Sequence, residues 1–219
     1  MEILEMDDEL CKKAKKQEKI KSMSQTEEMR KVKEQVIACQ KCPLYKTRTL
    51  PVIGQGNHSA NVVFVGEAPG ANEDRTGFPF CGASGKILDN LLDFIGLARK
   101  DVYICNLLKC RPPANRDPKL DEINICSSFL EQQLEIIKPK VVCPLGRHSM
   151  YFLMQKYGIG EQVRAIGQIH GQMFKSKNID MDLNIIPFYH PAVAVYNRDM
   201  LSVLQNDFLI LKNFAVKAK

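Results

Sequence analysis

The sequence predicts an α/β protein in three layers, α/β/α, with a central, mainly parallel sheet of four strands. Three observations carry this reading. Short apolar, β-branched runs recur at Val62–Val65, Val102–Cys105, Val141–Cys143 and Asn184–Tyr189. Stretches with apolar residues at helical spacing separate them. Each run ends in a polar loop carrying glycine, proline or amide residues. Strands that alternate with helices build a parallel sheet covered on both faces.

In chain order, the first segment is charged, with Lys12, Lys13, Lys15, Lys16, Lys19 and Lys21 following an acidic start. It reads as a solvated helical extension over residues 1–30, with contact to DNA as the sharper alternative. The main domain is expected over residues 31–219. Ser24-Gln25-Thr26-Glu27 fits a capping box, so a helix is expected from there towards Cys39. Pro51 to Ser59 is a polar loop leading into the first apolar run.

That run breaks at Gly66-Glu67-Ala68-Pro69-Gly70, where two glycines and a proline force a tight turn and admit another molecule close to the backbone. Glu73 and Asp74 follow, then Phe78-Pro79-Phe80 on a loop, then Gly82-Ala83-Ser84-Gly85 opening a helix. The spacing of Ile87, Leu88, Leu91, Leu92 and Ile95 is helical, with a stop at Gly96. The second strand runs into Asn106–Arg116, a loop dense in amides, cations and prolines. A helix is expected from Lys119 to Ile137, a third strand at Val141–Cys143, and a helix from Gly146-Arg147-His148 to about Tyr157. Residues 158–182 read as irregular or antiparallel. The fourth strand ends at His190-Pro191-Ala192, and a terminal helix takes Leu201, Leu204, Phe208, Leu211 and Phe214. The loops after the strands would meet at the carboxyl edge of the sheet, which is the candidate active site.

Composition narrows the class. A chain of 219 residues that is 45% hydrophobic can bury a full core. No apolar run approaches a membrane span, and the acidic start is unlike a signal peptide, so a cytoplasmic protein with no membrane association is expected. A net charge of +6 permits a polyanionic partner. Two phosphate-binding glycine motifs are excluded. Gly66 and Gly70 do not follow the dinucleotide fingerprint, and Ala83-Ser84 stand after Gly82 where a P-loop needs lysine and a hydroxyl residue.

Eight cysteines without a secretory leader suggest ligation rather than disulfides. Cys39, Cys42, Cys110 and Cys126 form C-x2-C…C-x15-C. Four thiolates suit a [4Fe-4S] cluster or a structural zinc ion, and spacing alone leaves both open. Cys105 and Cys143 lie in apolar strands as small core residues, while Cys81 and Cys11 read as unligated.

The ordered set GEAPG…ED, TGFPFCGASG, YICNLLKCRPPANR and YHPA, with the upstream C-x2-C, resembles the iron–sulfur (family 4) uracil-DNA glycosylases over roughly residues 31–215. The resemblance implies the uracil-DNA glycosylase-like α/β/α fold and a [4Fe-4S] cluster on Cys39, Cys42, Cys110 and Cys126. It implies that Phe80 stacks on a flipped uracil, Asn106 reads its edge, and Glu73 crowds the place of a thymine methyl. His190 would face uracil O2, backbone groups from Gly66 to Ala68 and beyond would approach the base, and Asn115 would join the network near the attacking water. Ala68 stands where the best-known relatives carry aspartate. The adjacent Glu67 is grouped with the catalytic residues without being assigned as the base. Arg111, Arg116, Arg147 and Arg198 are the expected phosphate contacts, with Lys46, Arg48, Arg75 and Lys109 as weaker candidates around the mouth. His58, His148 and His170 read as surface or loop residues. The partner implied is uracil-containing DNA, single- or double-stranded, bound by a monomer. A non-catalytic nucleic-acid-binding module and a metal-bearing electron carrier are the competing readings.

Overall fold

The computed structural model describes residues 23–177 and 183–214. The lysine run and Cys11 lie outside those residues. Helix α1 covers residues 23–38 and buries Gln25, Met29, Val32 and Val36. It therefore runs through residue 30 and packs on the domain that follows. Ser24 sits inside this helix, where its hydroxyl donates to Glu28 rather than capping the start. Gln25 ties the helix down: its Nε2 donates to Ile136 O at 2.7 Å, and Ser59 Oγ donates to its Oε1 at 2.6 Å.

The next elements are β1 (Gln55–Gly56), β2 (Val62–Gly66), α2 (Ala71–Thr76), α3 (Ala83–Phe94) and β3 (Tyr103–Asn106). After them come α4 (Leu120–Ile137), β4 (Val141–Pro144), α5 (Arg147–Lys156) and α6 (Ile166–Ile169). The chain closes with β5 (Phe174–Lys175), β6 (Asn184–Ile185), α7 (Val193–Tyr196) and α8 (Met200–Phe208). A 3-10 turn, Leu209–Asn213, prolongs the last helix.

The sheet has six strands in the order β1-β3-β2-β4-β6-β5, two more than the sequence suggests. The four expected strands form its parallel centre, and β1 and β5 add antiparallel edges. Each edge strand is two residues long, too short to leave a periodic pattern. The fourth expected strand is also shortened, because Pro187 offers no N–H. The ladder nevertheless continues through Ile186 N–H to Val142 O and Phe188 N–H to Pro144 O.

The period of two along each strand explains the layers. Val63, Val65, Tyr103, Cys105 and Val142 share one core with α1, α4 and α5. Val62, Phe64, Ile104, Val141 and Cys143 point the other way, into a second core with α3, α7 and α8. Both faces are covered, which is why the strands read as unbroken apolar runs. Cys105 and Cys143 are fully buried among these residues, as expected of small core side chains.

β3 and β4 lie on opposite sides of β2. The chain therefore reverses its direction of travel across the sheet at β2, and such a reversal opens a crevice beyond the carboxyl ends of the strands.

Candidate active site

A cavity of about 390 Å³ occupies that crevice. Glu67, Ala68, Pro69 and Gly70 from the turn after β2 line it, with Glu73, Phe80, Asn106, Asn115, Arg116 and His190. Seven of the eight residues expected for catalysis or base binding share this wall directly; the eighth, Gly66, is the strand end paired with Asn106.

Gly66 ends β2 and pairs in register with Asn106 at the end of β3. A Cβ at Gly66 would stand 2.3 Å from Asn106 Oδ1 and 2.9 Å from the Phe80 ring. The missing side chain is thus what lets the amide and the ring close over the strand end. Asn106 is 2% exposed, so its amide is withheld from bulk water.

Phe80 lies on the expected loop but belongs to the core. It is buried, packs into the core shared by α3 and α8, and presents its ring to the cavity. Its φ of 50° is left-handed, a strained conformation for a bulky residue. Two contacts hold it there. Arg99 donates to the carbonyls of Pro79 and Phe80, and Gly85 lets the Phe80 carbonyl approach α3 so closely that a Cβ would lie 1.7 Å from it. Arg99 is in turn held by Asp89 at 2.6 Å. Neither Arg99 nor Gly85 carries a motif signal beyond the glycines of the helix start.

Glu73 sits in α2, a short helix where the sequence suggests only a loop. Its Oε1 accepts from the N–H groups of Cys81 at 3.0 Å and Gly82 at 3.1 Å. The carboxylate therefore anchors the entrance of α3 at the cavity wall. Exposed Cys81 lies against Glu73 and the Thr76 hydroxyl.

His190 stacks on Phe80 with ring centroids 5.6 Å apart. Its Nδ1 accepts the Ala192 N–H at 3.1 Å, which places the proton of the neutral ring on Nε2. Burial pushes its pKa down to about 4, against a smaller opposing pull from Glu73. At neutral pH the site holds a neutral imidazole that can donate from Nε2.

Glu67 is raised above the ordinary carboxyl range, first by burial and further by Asp117, with His148 and Arg147 opposing. His148 is not a plain surface residue: its Nε2 lies 3.8 Å from Glu67 and 3.4 Å from Asp117. Asp117 and His148 thus adjoin the cavity rim, a grouping invisible in sequence because they are brought together by different loops. Asn115 has a left-handed φ of 54°, and its Oδ1 accepts from Arg111 Nε at 2.7 Å.

The four arginines divide. Arg111 and Asn115 form one exposed pair, Arg147 meets Asp117 at 2.8 Å, and Arg198 is exposed after α7. Arg116 is committed differently. Both its terminal nitrogens engage Glu122, at 2.6 and 2.9 Å, and that carboxylate is 2% exposed. Glu122 Oε2 also accepts the Lys119 N–H at the start of α4. Arg116→Ala is therefore expected to lower the unfolding midpoint by a few degrees, because it strips the fork from a buried carboxylate. Arg111→Ala should leave the midpoint unchanged. Equal midpoints for the two variants by differential scanning calorimetry would contradict this division.

Two of the weaker phosphate candidates are corrected outright. Lys109 is 1% exposed and fully enclosed, so it cannot reach a phosphate. Burial pushes its pKa down, while Cys105 and Cys126 oppose. Arg48 turns towards the cysteines, donating to Cys110 Sγ at 3.2 Å and to the Val36 and Ile37 carbonyls.

Cys39, Cys42, Cys110 and Cys126 line one recess together with Val36, Ile125 and Phe129. Four sulfurs from three segments converge there, and two of them accept N–H bonds, Cys126 from Lys109 N at 3.3 Å and Cys110 from Arg48. Burial raises Cys42, Cys110 and Cys126, the last to about 11, so as free thiols they would be inert. Among the described residues the side-chain atoms close enough to grip a single ion are those of Glu67, Asp117 and His148. Four cysteines converging on one recess are a donor set suited to an iron–sulfur cluster or to zinc.

A mainly parallel sheet with a cavity at its reversal point, walled by a glycine-proline turn, an amide, an aromatic ring and a neutral histidine, defines an α/β protein with a polar pocket at the carboxyl edge of its sheet. The Uracil DNA glycosylase superfamily model matches residues 53–212, and the chain belongs to that superfamily. Type-4 uracil-DNA glycosylase of Sulfurisphaera tokodaii is 43% identical over 192 residues, covering 87% of this chain and 86% of the relative. The protein of the same name from Saccharolobus solfataricus is 44% identical over 182 residues, covering 83% of each chain. That from Archaeoglobus fulgidus is 42% identical over 174 residues, covering 80% of this chain and 86% of the relative.

Proposed function

We propose that this chain is a monofunctional uracil-DNA glycosylase of DNA repair, which flips uracil out of DNA and hydrolyses its N-glycosidic bond. The observation that carries this is the single cavity in which Phe80, Asn106 and the neutral His190 converge, in a chain of this superfamily. A base within a duplex is unreachable, so extrusion must be offset by stacking and hydrogen bonds in the pocket. Stacking against Phe80 contributes roughly 1–3 kcal/mol. The Asn106 amide meets uracil O4 with its N–H and uracil N3–H with its oxygen. Glu73, fixed by the N–H groups of Cys81 and Gly82, crowds the place of a thymine methyl.

Bond cleavage moves the electron pair of the C1′–N1 bond onto uracil and leaves an oxocarbenium-like sugar. His190 Nε2–H and the N–H groups of the Gly66–Gly70 turn stabilise the charge that grows on uracil O2. A neutral donor suffices, because the leaving group is a stabilised anion. Water then adds at C1′ and loses its proton, leaving an abasic site. Glu67 and Asn115 line the same cavity and orient that water. Arg111, Arg147 and Arg198 meet backbone phosphates as the protein binds as a monomer, and Arg116 holds the loop that carries them. The catalytic domain comprises the 31–219 segment together with the first turns of α1 that pack on it. No described helix is long and apolar enough to cross a membrane.

The cysteine recess fits a [4Fe-4S] cluster held by Cys39, Cys42, Cys110 and Cys126. When bound, such a cluster supplies a rigid cross-link and no chemistry at the sugar. It pins the loop starting at Cys110, with Arg111 and Asn115, to the segment after α1. Protein purified without oxidative damage is expected to be brown, with about four irons per chain. Colourless, zinc-replete protein with full activity would contradict this.

The pH dependence has a defined sign. His190 carries an ordinary pKa of 6.5 when unfolded and about 4 when folded, so its neutral burial favours the fold above pH 6.5. That contribution is lost as pH falls from 6.5 through about 4. Excision should accordingly show no loss near pH 6.5 that His190→Gln removes. A step in the wild-type rate centred there and absent in His190→Gln would show a charged ring in the working enzyme.

The test of the function is incubation with an oligonucleotide carrying one labelled uracil. Free uracil and an alkali-labile site at that position are expected, and intact DNA after prolonged incubation would refute the assignment.

A further inference from the structure

Lys109 is the most deeply buried charged side chain at the site, and no role in binding DNA is open to it. Its Nζ donates to the main-chain carbonyl of Asn106 at 2.7 Å and to Gln133 Oε1 at 2.7 Å. Gln133, itself fully buried in α4, passes the contact on: its Nε2 donates to Ile53 O at 2.9 Å and to the Tyr103 hydroxyl at 3.1 Å. The main chain of Lys109 is equally committed. Its N–H donates to Cys126 Sγ at 3.3 Å, and its carbonyl accepts the Val52 N–H at 2.8 Å.

The consequence lies in where β3 stops. Past Asn106 the ladder to the β2 side continues only through Leu107 N–H to Gly66 O and Leu108 N–H to Glu67 O. The Asn106 carbonyl at the strand end belongs to a buried residue and accepts a hydrogen bond from Lys109 Nζ. One residue therefore grips the base-reading asparagine by its backbone, the central helix α4 by Gln133, and one of the four clustered cysteines by its own N–H.

We infer that Lys109 is a positioning residue for uracil recognition, a buried strap that fixes the Asn106 backbone relative to α4 and the Cys126 segment. It touches neither base nor sugar and acts through Asn106. The inference rests on the reading of Asn106 as the base-reading residue. Lysine suits the task because a flexible four-carbon stem delivers several donors to a point the backbone cannot reach. An apolar residue of equal length would fill the same volume and leave both the Asn106 carbonyl and Gln133 Oε1 without a donor, which is costly for buried acceptors.

The experiment is a double-mutant cycle on iron-loaded protein with Lys109→Met and Asn106→Ala, read by single-turnover uracil release and by DNA affinity. Lys109→Met is expected to slow release by roughly tenfold to a hundredfold, while DNA affinity changes less than about threefold. In the Asn106→Ala background the same change should cost less than about threefold, because the residue it positions is gone. Equal losses in both backgrounds would mean a general structural role and would overturn the inference. Amide exchange gives a readout independent of activity. The peptide over residues 103–108 should exchange about tenfold faster in Lys109→Met, with α8 unchanged. If that strand end stays protected, the inference fails whether or not the wild type releases uracil. Should Lys109→Met lose its iron, both measurements pass to Gln133→Leu, which removes the ammonium's second acceptor away from the sulfurs. There too, coupled loss and faster exchange support the strap, and additive loss with unchanged exchange overturns it.

Discussion

Asn106→Asp is expected to reduce single-turnover uracil release by roughly 10³–10⁴, while iron content and DNA affinity stay near wild type. Uracil offers an acceptor at O4 and a donor at N3, and a carboxamide matches both at once. Cytosine offers the reverse at N4 and N3. The carboxylate of the variant would face O4 with no donor, in a position that is 2% exposed in the wild type and so has no water to relieve it. The same carboxylate can accept from cytosine N4, so cytosine release slightly above the wild-type level is expected. The loss should fall on the release rate rather than on DNA binding, because phosphates supply most of the affinity and read no sequence. Near-wild-type release by a folded, brown Asn106→Asp protein would show that this residue does not read the base.

Gly66→Ala adds a single methyl group and is expected to cost at least roughly 10²-fold in release. The new carbon would stand 2.3 Å from Asn106 Oδ1 and 2.9 Å from the Phe80 ring, well inside contact distance for both. Gly66 also pairs in register with Asn106 and lies within a parallel ladder, so the backbone cannot swing aside without breaking that pairing. The amide and the ring must move instead, and those are the two groups that recognise the base. Gly66 is buried and its neighbour Phe80 belongs to a packed core, so the unfolding midpoint is expected to fall as well. Release is therefore compared at a temperature where the variant is folded: lost activity there is expected, and full activity would show that the strand end is not where uracil lies.

Much of this was legible in sequence because strong local signals marked it. The parallel strands appear as unbroken β-branched runs, since both faces of Val62–Val65 are buried. The cavity wall was legible because each strand end announces itself with glycine, asparagine or His-Pro. What stayed hidden depends on contacts between segments far apart in sequence. Lys109 reads as a loop cation among Cys110, Arg111 and prolines, and only Gln133, 24 residues away in α4, reveals it as buried. Arg48 likewise reads as a surface charge until Cys110, 62 residues on, appears beside it. The edge strands were illegible for a different reason: two residues carry no period. Glu73 and Asp74 sit on a six-residue helix whose polar surface mimics a loop.

The most direct test of the account is single-turnover base release by the wild-type protein from matched oligonucleotides that differ only in uracil or cytosine at one position. The pocket described here predicts rapid release of uracil and a cytosine rate slower by roughly 10⁴ or more, as expected when a buried amide would be left facing the wrong partners. Release of both bases at similar rates, or of neither, would contradict the claim that the Gly66–Asn106 strand ends form a uracil-reading site.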